Sequence, residues 1–159
     1  MPVEPAPPHD PAAPSVPATT AGRLDEQLCF ALYATTNAII RLYRPLLKEI
    51  GLTYPQYLVL LTLWETPLQV GEIAERLRLA SHAVSPMLDR LEQHDLVRRT
   101  RPDGDGRVVL VELTDAGRRL EAHAAQVQEH VRCATMLEPD EVDRLRSDLH
   151  ALLERLDGI

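Results

Sequence analysis

The stretch "SHAVSPMLDRLEQHDLVRRTRPDGDGRVVLVELT", residues 81–114, decides the fold that we predict for this chain. Apolar residues recur in its first half at helical spacing, which predicts a helix over residues 82–96 with Ser81 as its N-cap. Two strand-like runs follow, at 96–101 and 107–113, and the Pro-Asp-Gly-Asp-Gly segment between them is typical of a hairpin turn. The stretch therefore predicts one helix followed directly by a two-stranded hairpin.

The segments on either side extend this pattern to a winged helix-turn-helix. Residues 70–79, "VGEIAERLRL", predict a short amphipathic helix, and a turn of three or four residues joins it to the next one. Thr53 and Thr114 are expected to cap the helices that follow them. The predicted fold class is mainly α with a small β component (α+β): a winged helix-turn-helix whose N- and C-terminal helices form a homodimerisation domain.

The chain is expected to consist of a tail and one domain. Residues 1–21 contain seven of the thirteen prolines and few bulky apolar residues, which is typical of a disordered tail. Residues 22–157 predict a single domain. Within it, the long helices of 22–50 and 115–157 are expected to form the dimer, and residues 54–113 the winged helix.

The charge distribution favours the winged helix as a nucleic-acid surface. The chain has a formal net charge of -7, which by itself argues against binding to phosphates. Between Arg76 and Arg107, however, seven arginines face five acidic residues, so this segment is cationic within an acidic chain. We therefore expect double-stranded DNA as a partner, with this segment as the DNA-binding part.

The recognition helix and the wing supply the candidate DNA-binding residues. Small or polar side chains that suit base edges and an arginine that suits phosphates occur in the helix, at Ser81, His82, Ser85, Pro86 and Arg90. Beyond the hairpin turn, Arg107 is placed to enter a minor groove. The alternative is an ordinary surface helix with a solvated hairpin.

Two cysteines, Cys29 and Cys133, are too few for a disulfide scaffold and too far apart for a CxxC site. The sequence also lacks a signal peptide and any apolar run long enough to span a membrane. We therefore expect a protein of the reducing cytoplasm, with no membrane partner and no cofactor. Cys29 is interpreted either as a buried, inert side chain or as a reactive thiol.

Three runs of the sequence resemble a known family. They are "LDEQLCFALYATTNAIIRLYRPLLKEIGLTYPQYLVLLTLWE", "SPMLDRLEQHDLVRR" and "DGDGRVVLVELTDAG". They are similar to the MarR family of winged-helix regulators and specifically to its organic-hydroperoxide-sensing branch, OhrR, in its two-cysteine form. The resemblance covers roughly residues 23–157. It implies a DNA-binding regulator, most often a repressor, that binds a pseudo-palindromic operator as a homodimer and is not an enzyme.

The resemblance also implies roles for individual residues. Cys29 matches the cysteine that organic hydroperoxides oxidise, and Cys133 falls where a resolving cysteine forms a disulfide with the other subunit. Tyrosines that support the thiolate are matched by Tyr33, Tyr43 and Tyr54. On the wing, Asp105 matches an aspartate that orients the minor-groove arginine, Arg107.

Helix geometry makes one part of this assignment depend on a dimer. Cys29 and Tyr43 are fourteen residues apart, or about 21 Å along a helix that rises about 1.5 Å per residue. They can therefore meet only across a two-fold interface, whereas Tyr33 lies one turn from Cys29 in the same helix. Asp25, one turn before Cys29, disfavours a thiolate.

One position departs from the resemblance, and three other functions were weighed. Relatives of this branch usually have lysine where this chain has Asp89, and "SGTLTP" where it has "SHAVSP", so its operator is expected to differ. The chain could instead be a regulator that binds a lipophilic or phenolic ligand at the dimer cleft, or a thiol peroxidase. A metal site at His123, His130 and Cys133 is disfavoured because the two histidines are about 10 Å apart along a helix.

Overall fold

The fold is described from a computed structural model, in which residues 22–101 and 108–158 are placed. The predictions for the proline-rich tail, residues 1–21, and for Asp105 and Arg107 of the wing lie outside the described residues. None of the helices that the structure describes is both long and apolar enough to cross a membrane.

Helices dominate the described chain, and three short strands accompany them. A 3₁₀ turn occupies Leu24–Glu26. The helices and strands are, in chain order, α1 (Leu28–Glu49), α2 (Tyr54–Glu65), β1 (Leu68–Gln69), α3 (Val70–Arg76), α4 (Ser81–Gln93), β2 (Val97–Thr100), β3 (Leu110–Leu113), α5 (Asp115–Ala134) and α6 (Pro139–Asp157).

The winged helix-turn-helix is confirmed. Residues 77–80 connect α3 to α4, and β2 and β3 pair in antiparallel register with Arg99 opposite Val111. The strand β1, which the sequence did not predict, pairs with the other side of β3 and gives a three-stranded sheet in the order β1-β3-β2. Contacts with this sheet tie the start of the helix-turn-helix to the hairpin.

Two of the predicted helix starts are wrong by a few residues. Ser81 is not an N-cap, because its backbone is already helical and the cap position belongs to Ala80, which is extended and has no capping side chain. The first long helix begins at Leu28 rather than near residue 24, because Gln27 is extended and separates the 3₁₀ turn from α1. The predicted caps at Thr53 and Thr114 are confirmed, since both side chains accept a backbone N–H of the next helix.

The contacts divide the chain into two compact units that meet between Thr35 and Thr36, within α1. In the first unit, large apolar side chains are exposed at Leu24, Leu28, Phe30 and Tyr33. The second unit contains the hydrophobic core. Its centre is α2, which is buried almost all round as its composition predicts.

The core of the second unit joins α2 to the winged helix. Leu60 of α2, Ile73 of α3, Leu88 of α4 and Val111 of β3 are fully buried in one cluster. These side chains leave the opposite side of α4 free, so the packing of the core determines which residues of the recognition helix face outward.

A glycine permits the closest approach between the hairpin and α5. A Cβ atom at Gly117 would lie 2.1 Å from the backbone oxygen of Leu96, a distance that no side chain tolerates. The carbonyl of Gly117 accepts a hydrogen bond from the indole Nε1 of Trp64 at 3.1 Å, which ties α5 to α2. This position therefore holds the base of the wing, the core helix and the long C-terminal region together.

Candidate nucleic-acid interface and cysteine sites

The outward face of α4 is polar and exposed. Val84, Leu88 and Leu91 are buried on the inner side. Their helical spacing turns the exposed side chains of His82 and Pro86 to the other side. A helix that presents such a face after a helix-turn-helix is of the kind that enters a major groove.

The structure separates the predicted DNA-binding residues of α4 into free and occupied ones. Ser81, His82, Pro86 and Arg90 are exposed. Ser85 is half-buried, and its hydroxyl donates to the carbonyl of Ser81 at 3.3 Å. Within the described part of the chain, Arg90 has no acidic partner, so its guanidinium is available to a phosphate.

A clamp that the sequence did not reveal connects α4 to the wing. The Nη2 atom of Arg99 on β2 lies 2.6 Å from Oδ1 of Asp89, and its Nη1 atom contacts Glu92. Glu92 also accepts a hydrogen bond from the backbone N–H of Arg99 at 3.0 Å. Arg99 is therefore engaged within the protein, and Asp89 is half of an ion pair rather than an isolated negative charge.

The sensing candidate Cys29 is exposed in the first unit, on the first turn of α1. Tyr33, one helical turn later, is exposed to 67%, and the neighbouring Leu28 and Phe30 are exposed as well. The interpretation of Cys29 as a buried core residue is therefore wrong for the single chain. An accessible thiol surrounded by apolar side chains suits an apolar oxidant.

The second unit brings Tyr43 and Tyr54 together and adds a third tyrosine, Tyr57, that the sequence analysis missed. The ring centroids of Tyr43 lie 5.0 Å from those of Tyr54 and 5.5 Å from those of Tyr57. Tyr57 lies three residues after Tyr54 on α2, a spacing that could have identified it. The three hydroxyl-bearing rings form one cluster, in which Tyr57 is fully buried.

Burial raises the pKa of all three clustered tyrosines above the ordinary value. A hydrogen bond between Tyr43 and Tyr57 adds to the rise at Tyr57 and opposes it at Tyr43. The hydroxyls therefore stay protonated at neutral pH and remain hydrogen-bond donors, as support of a thiolate requires.

These raised pKa values predict a loss of stability in alkali. Because the folded tyrosines hold their protons more tightly than unfolded ones, their contribution is complete below pH 10.0 and is lost as the pH rises beyond it. We expect the free energy of unfolding, measured with urea and circular dichroism, to fall between pH 9 and pH 11. Tyr57→Phe should lose less over that interval, and an equal loss in both proteins would contradict the assignment.

The other cysteine, Cys133, lies near the end of α5 between two charged side chains. Its thiol donates to Oε1 of Glu129 at 3.4 Å, and Nη2 of Arg132 lies 3.8 Å from Sγ. Hydrogen bonds from Arg132 and then from Cys133 lower the pKa of Glu129 to about 2. The exposed sulfur thus has both an acceptor for its proton and a cation beside it.

The metal hypothesis gains no support from the described residues. No group of three or more His, Cys, Asp or Glu side chains in residues 22–101 and 108–158 is placed to hold a metal ion. The printed partners of Cys133 are the side chains of Glu129 and Arg132, and neither histidine of the hypothesis, His123 or His130, is among them.

A helix-turn-helix, a paired hairpin and an exposed cation on the outward helix together define a winged-helix transcriptional regulator. The family described as "Transcriptional regulator SarA/Rot" matches residues 41–123. The organic hydroperoxide resistance transcriptional regulator of Bacillus subtilis (strain 168) is 40% identical over 135 residues, which are 84% of this chain and 92% of that protein. The chain belongs to the MarR/SarA family of winged-helix transcriptional regulators.

Solved structures of AbfR, a protein of Staphylococcus epidermidis, are also similar. Reduced AbfR bound to DNA is 37% identical, with a TM-score of 0.69 and coverage of 84% of this chain and 94% of that one. Disulfide-formed AbfR is 35% identical, with a TM-score of 0.61 and coverage of 86% and 91%.

Proposed function

We propose that this regulator is a redox sensor that binds a pseudo-palindromic operator as a homodimer and releases it when an organic hydroperoxide oxidises Cys29. The observation that carries the proposal is the exposed thiol of Cys29 among exposed apolar side chains. In the reducing cytoplasm the protein would act as a repressor in its reduced form. Oxidation would end in a disulfide between Cys29 and Cys133 of the partner subunit.

The DNA-binding half of the proposal rests on α4 and the hairpin. His82 and Pro86 face outward from α4, and Arg90 has no competing carboxylate among the described residues. Asp105 and Arg107 are assigned to the wing tip by the resemblance. The similar AbfR has been solved in its reduced form bound to DNA, which supports the same partner for this chain.

The proposed dimer accounts for apolar side chains that are exposed in one copy. In the first unit these include Leu24 at 64% and Leu28 at 61% exposure. On α6, side chains at helical spacing are exposed at Leu145, Leu149, Leu153 and Leu156. Burial of apolar surface contributes about 25 cal/mol per Å², so a second copy that covered these faces would gain substantial free energy.

The proposed chemistry needs no cofactor. The Cys29 thiolate attacks the outer oxygen of the hydroperoxide, the O–O bond breaks, and an alcohol leaves after taking up a proton. The resulting sulfenic acid is attacked by Cys133 of the partner subunit, which forms the S–S bond and releases water. Glu129 and Arg132 flank the attacking sulfur and can accept its proton or stabilise its anion.

The direct test is binding of the reduced, purified protein to DNA upstream of its own gene, before and after exposure to cumene hydroperoxide. The proposal expects a retarded complex that disappears on oxidation, with a disulfide-linked dimer on non-reducing electrophoresis. Binding that is insensitive to the hydroperoxide would refute the sensor and leave only the regulator. Release without a linked dimer would remove Cys133 from the mechanism.

A second candidate function rests on a groove in the second unit. Its volume is about 450 Å³, and its walls come from α1, α5 and α6, with apolar side chains such as Ile39, Val131 and Leu145 beside the cations Arg132 and Arg146. Such a lining suits a lipophilic or phenolic anion. A Cys29→Ser protein that still releases DNA when given such a ligand would favour this function over redox sensing.

A further inference from the structure

The charge of Asp89 is unusual for its place on the molecule. Asp89 follows Pro86 by three residues on α4, so the two share the outward face of the helix, and its side chain is 57% exposed. A carboxylate at this position approaches the phosphates of a bound duplex and would normally weaken binding. It therefore needs either a compensating charge or a role of its own.

Arg99 supplies the compensating charge. Its Nη2 atom holds Oδ1 of Asp89 at 2.6 Å, while Glu92 holds the same arginine through its Nη1 atom and its backbone N–H. Because the side chain of Arg99 is only 28% exposed, the arginine is a fixed component of the protein surface. Asp89 is thus pinned through one oxygen, and Oδ2 accepts no hydrogen bond within the described residues.

We propose that Asp89 recognises a cytosine in each half-site of the operator, with Oδ2 accepting a hydrogen bond from the exocyclic N4 amino group. This inference rests on the proposed DNA binding and deepens it. In the major groove, guanine and thymine present acceptors to a carboxylate, and adenine presents its N7 acceptor beside the N6 amine. Cytosine presents an amine without a neighbouring acceptor on its own edge, so it is the base that a fixed carboxylate favours.

In this arrangement Arg99 is a positioning residue rather than a phosphate ligand. By holding Oδ1, it leaves Asp89 one free acceptor in a defined direction and offsets the repulsion between the carboxylate and the DNA backbone. The two effects act on different quantities. The direction of Oδ2 determines which base is preferred, and the compensating charge determines how strongly any duplex is bound.

The experiment is selection of bound duplexes from a random pool by the full-length reduced protein, followed by sequencing. The unmodified protein should enrich cytosine at one position per half-site, by about 10-fold over the other bases. Asp89→Ala should lose the preference at that position alone while it binds random duplexes more tightly. Arg99→Lys keeps the charge but not the planar fork, and should weaken the same preference.

Glu112→Gln is the matched control. Glu112 lies on β3 and pairs with Arg98 across the hairpin at 2.9 Å, so this variant also removes one carboxylate from an arginine pair. It should leave every base preference unchanged. If Asp89→Ala and the unmodified protein enrich the same bases, the inference is overturned and DNA binding stands. If the unmodified protein enriches no sequence, both the inference and the proposed operator binding fail.

Discussion

Cys29→Ser is expected to bind the operator as tightly as the unmodified protein and to keep it in the presence of organic hydroperoxide. Serine is close in size to cysteine but cannot form a sulfenic acid, so oxidation has no starting point. Coupling between two sites of a regulator commonly changes affinity on the order of 10- to 100-fold, and that is the expected loss in the unmodified protein. The dissociation constant, measured by fluorescence anisotropy with a labelled operator, should not change in the variant.

Cys133→Ser is the control that separates oxidation from disulfide formation. Its Cys29 remains exposed and oxidisable, but no second sulfur can resolve the sulfenic acid. If the disulfide drives release, this variant should consume one equivalent of hydroperoxide and yet keep its DNA. Release in Cys133→Ser but not in Cys29→Ser would assign the switch to Cys29 alone. Release in both variants would contradict the sensor.

Gly117→Ala is expected to destabilise the fold by about 3 kcal/mol or more. Helix propensity alone predicts the opposite, because alanine is favoured over glycine by about 1 kcal/mol inside a helix. The steric term is larger here, since the new methyl group would lie 2.1 Å from the backbone oxygen of Leu96. Relief requires that α5 move away from the hairpin, which also strains the hydrogen bond from Trp64 to the carbonyl of Gly117.

Gly71→Ala provides the matched comparison within the same molecule. Gly71 lies in the helix α3, and a Cβ atom there would meet nothing within 4 Å. This variant should be as stable as the unmodified protein or more stable by about 0.5–1 kcal/mol. Urea unfolding of the three proteins at one fixed concentration measures both effects. A Gly117→Ala protein within 1 kcal/mol of the unmodified one would show that the approach of α5 to Leu96 is not rigid.

Local patterns in the sequence were sufficient for the winged helix. The apolar spacing in residues 81–96 and the turn before residue 108 predict α4 and the hairpin, because both depend on neighbouring residues. The caps at Thr53 and Thr114 were predictable for the same reason. A two-residue strand such as β1 has no periodicity, and it forms only because β3 lies beside it.

Contacts between distant elements were beyond the sequence. Asp89 and Arg99 are ten residues apart on a helix and a strand, so only the packed fold brings them together. Tyr57 was hidden in a helix that is apolar all round, where no stripe distinguishes one aromatic ring from another. The roles of Cys29 and Cys133 stay predictions, because they depend on a second copy of the chain.

The most direct test of the account is one titration of the reduced protein on its labelled operator with cumene hydroperoxide, with the intact mass recorded at each point. We predict that DNA release follows the loss of the Cys29 thiol and the appearance of a covalent dimer linked through Cys133, with all three curves superimposed. DNA that is released while Cys29 is still a free thiol, or retained after the linked dimer has formed completely, would contradict the account.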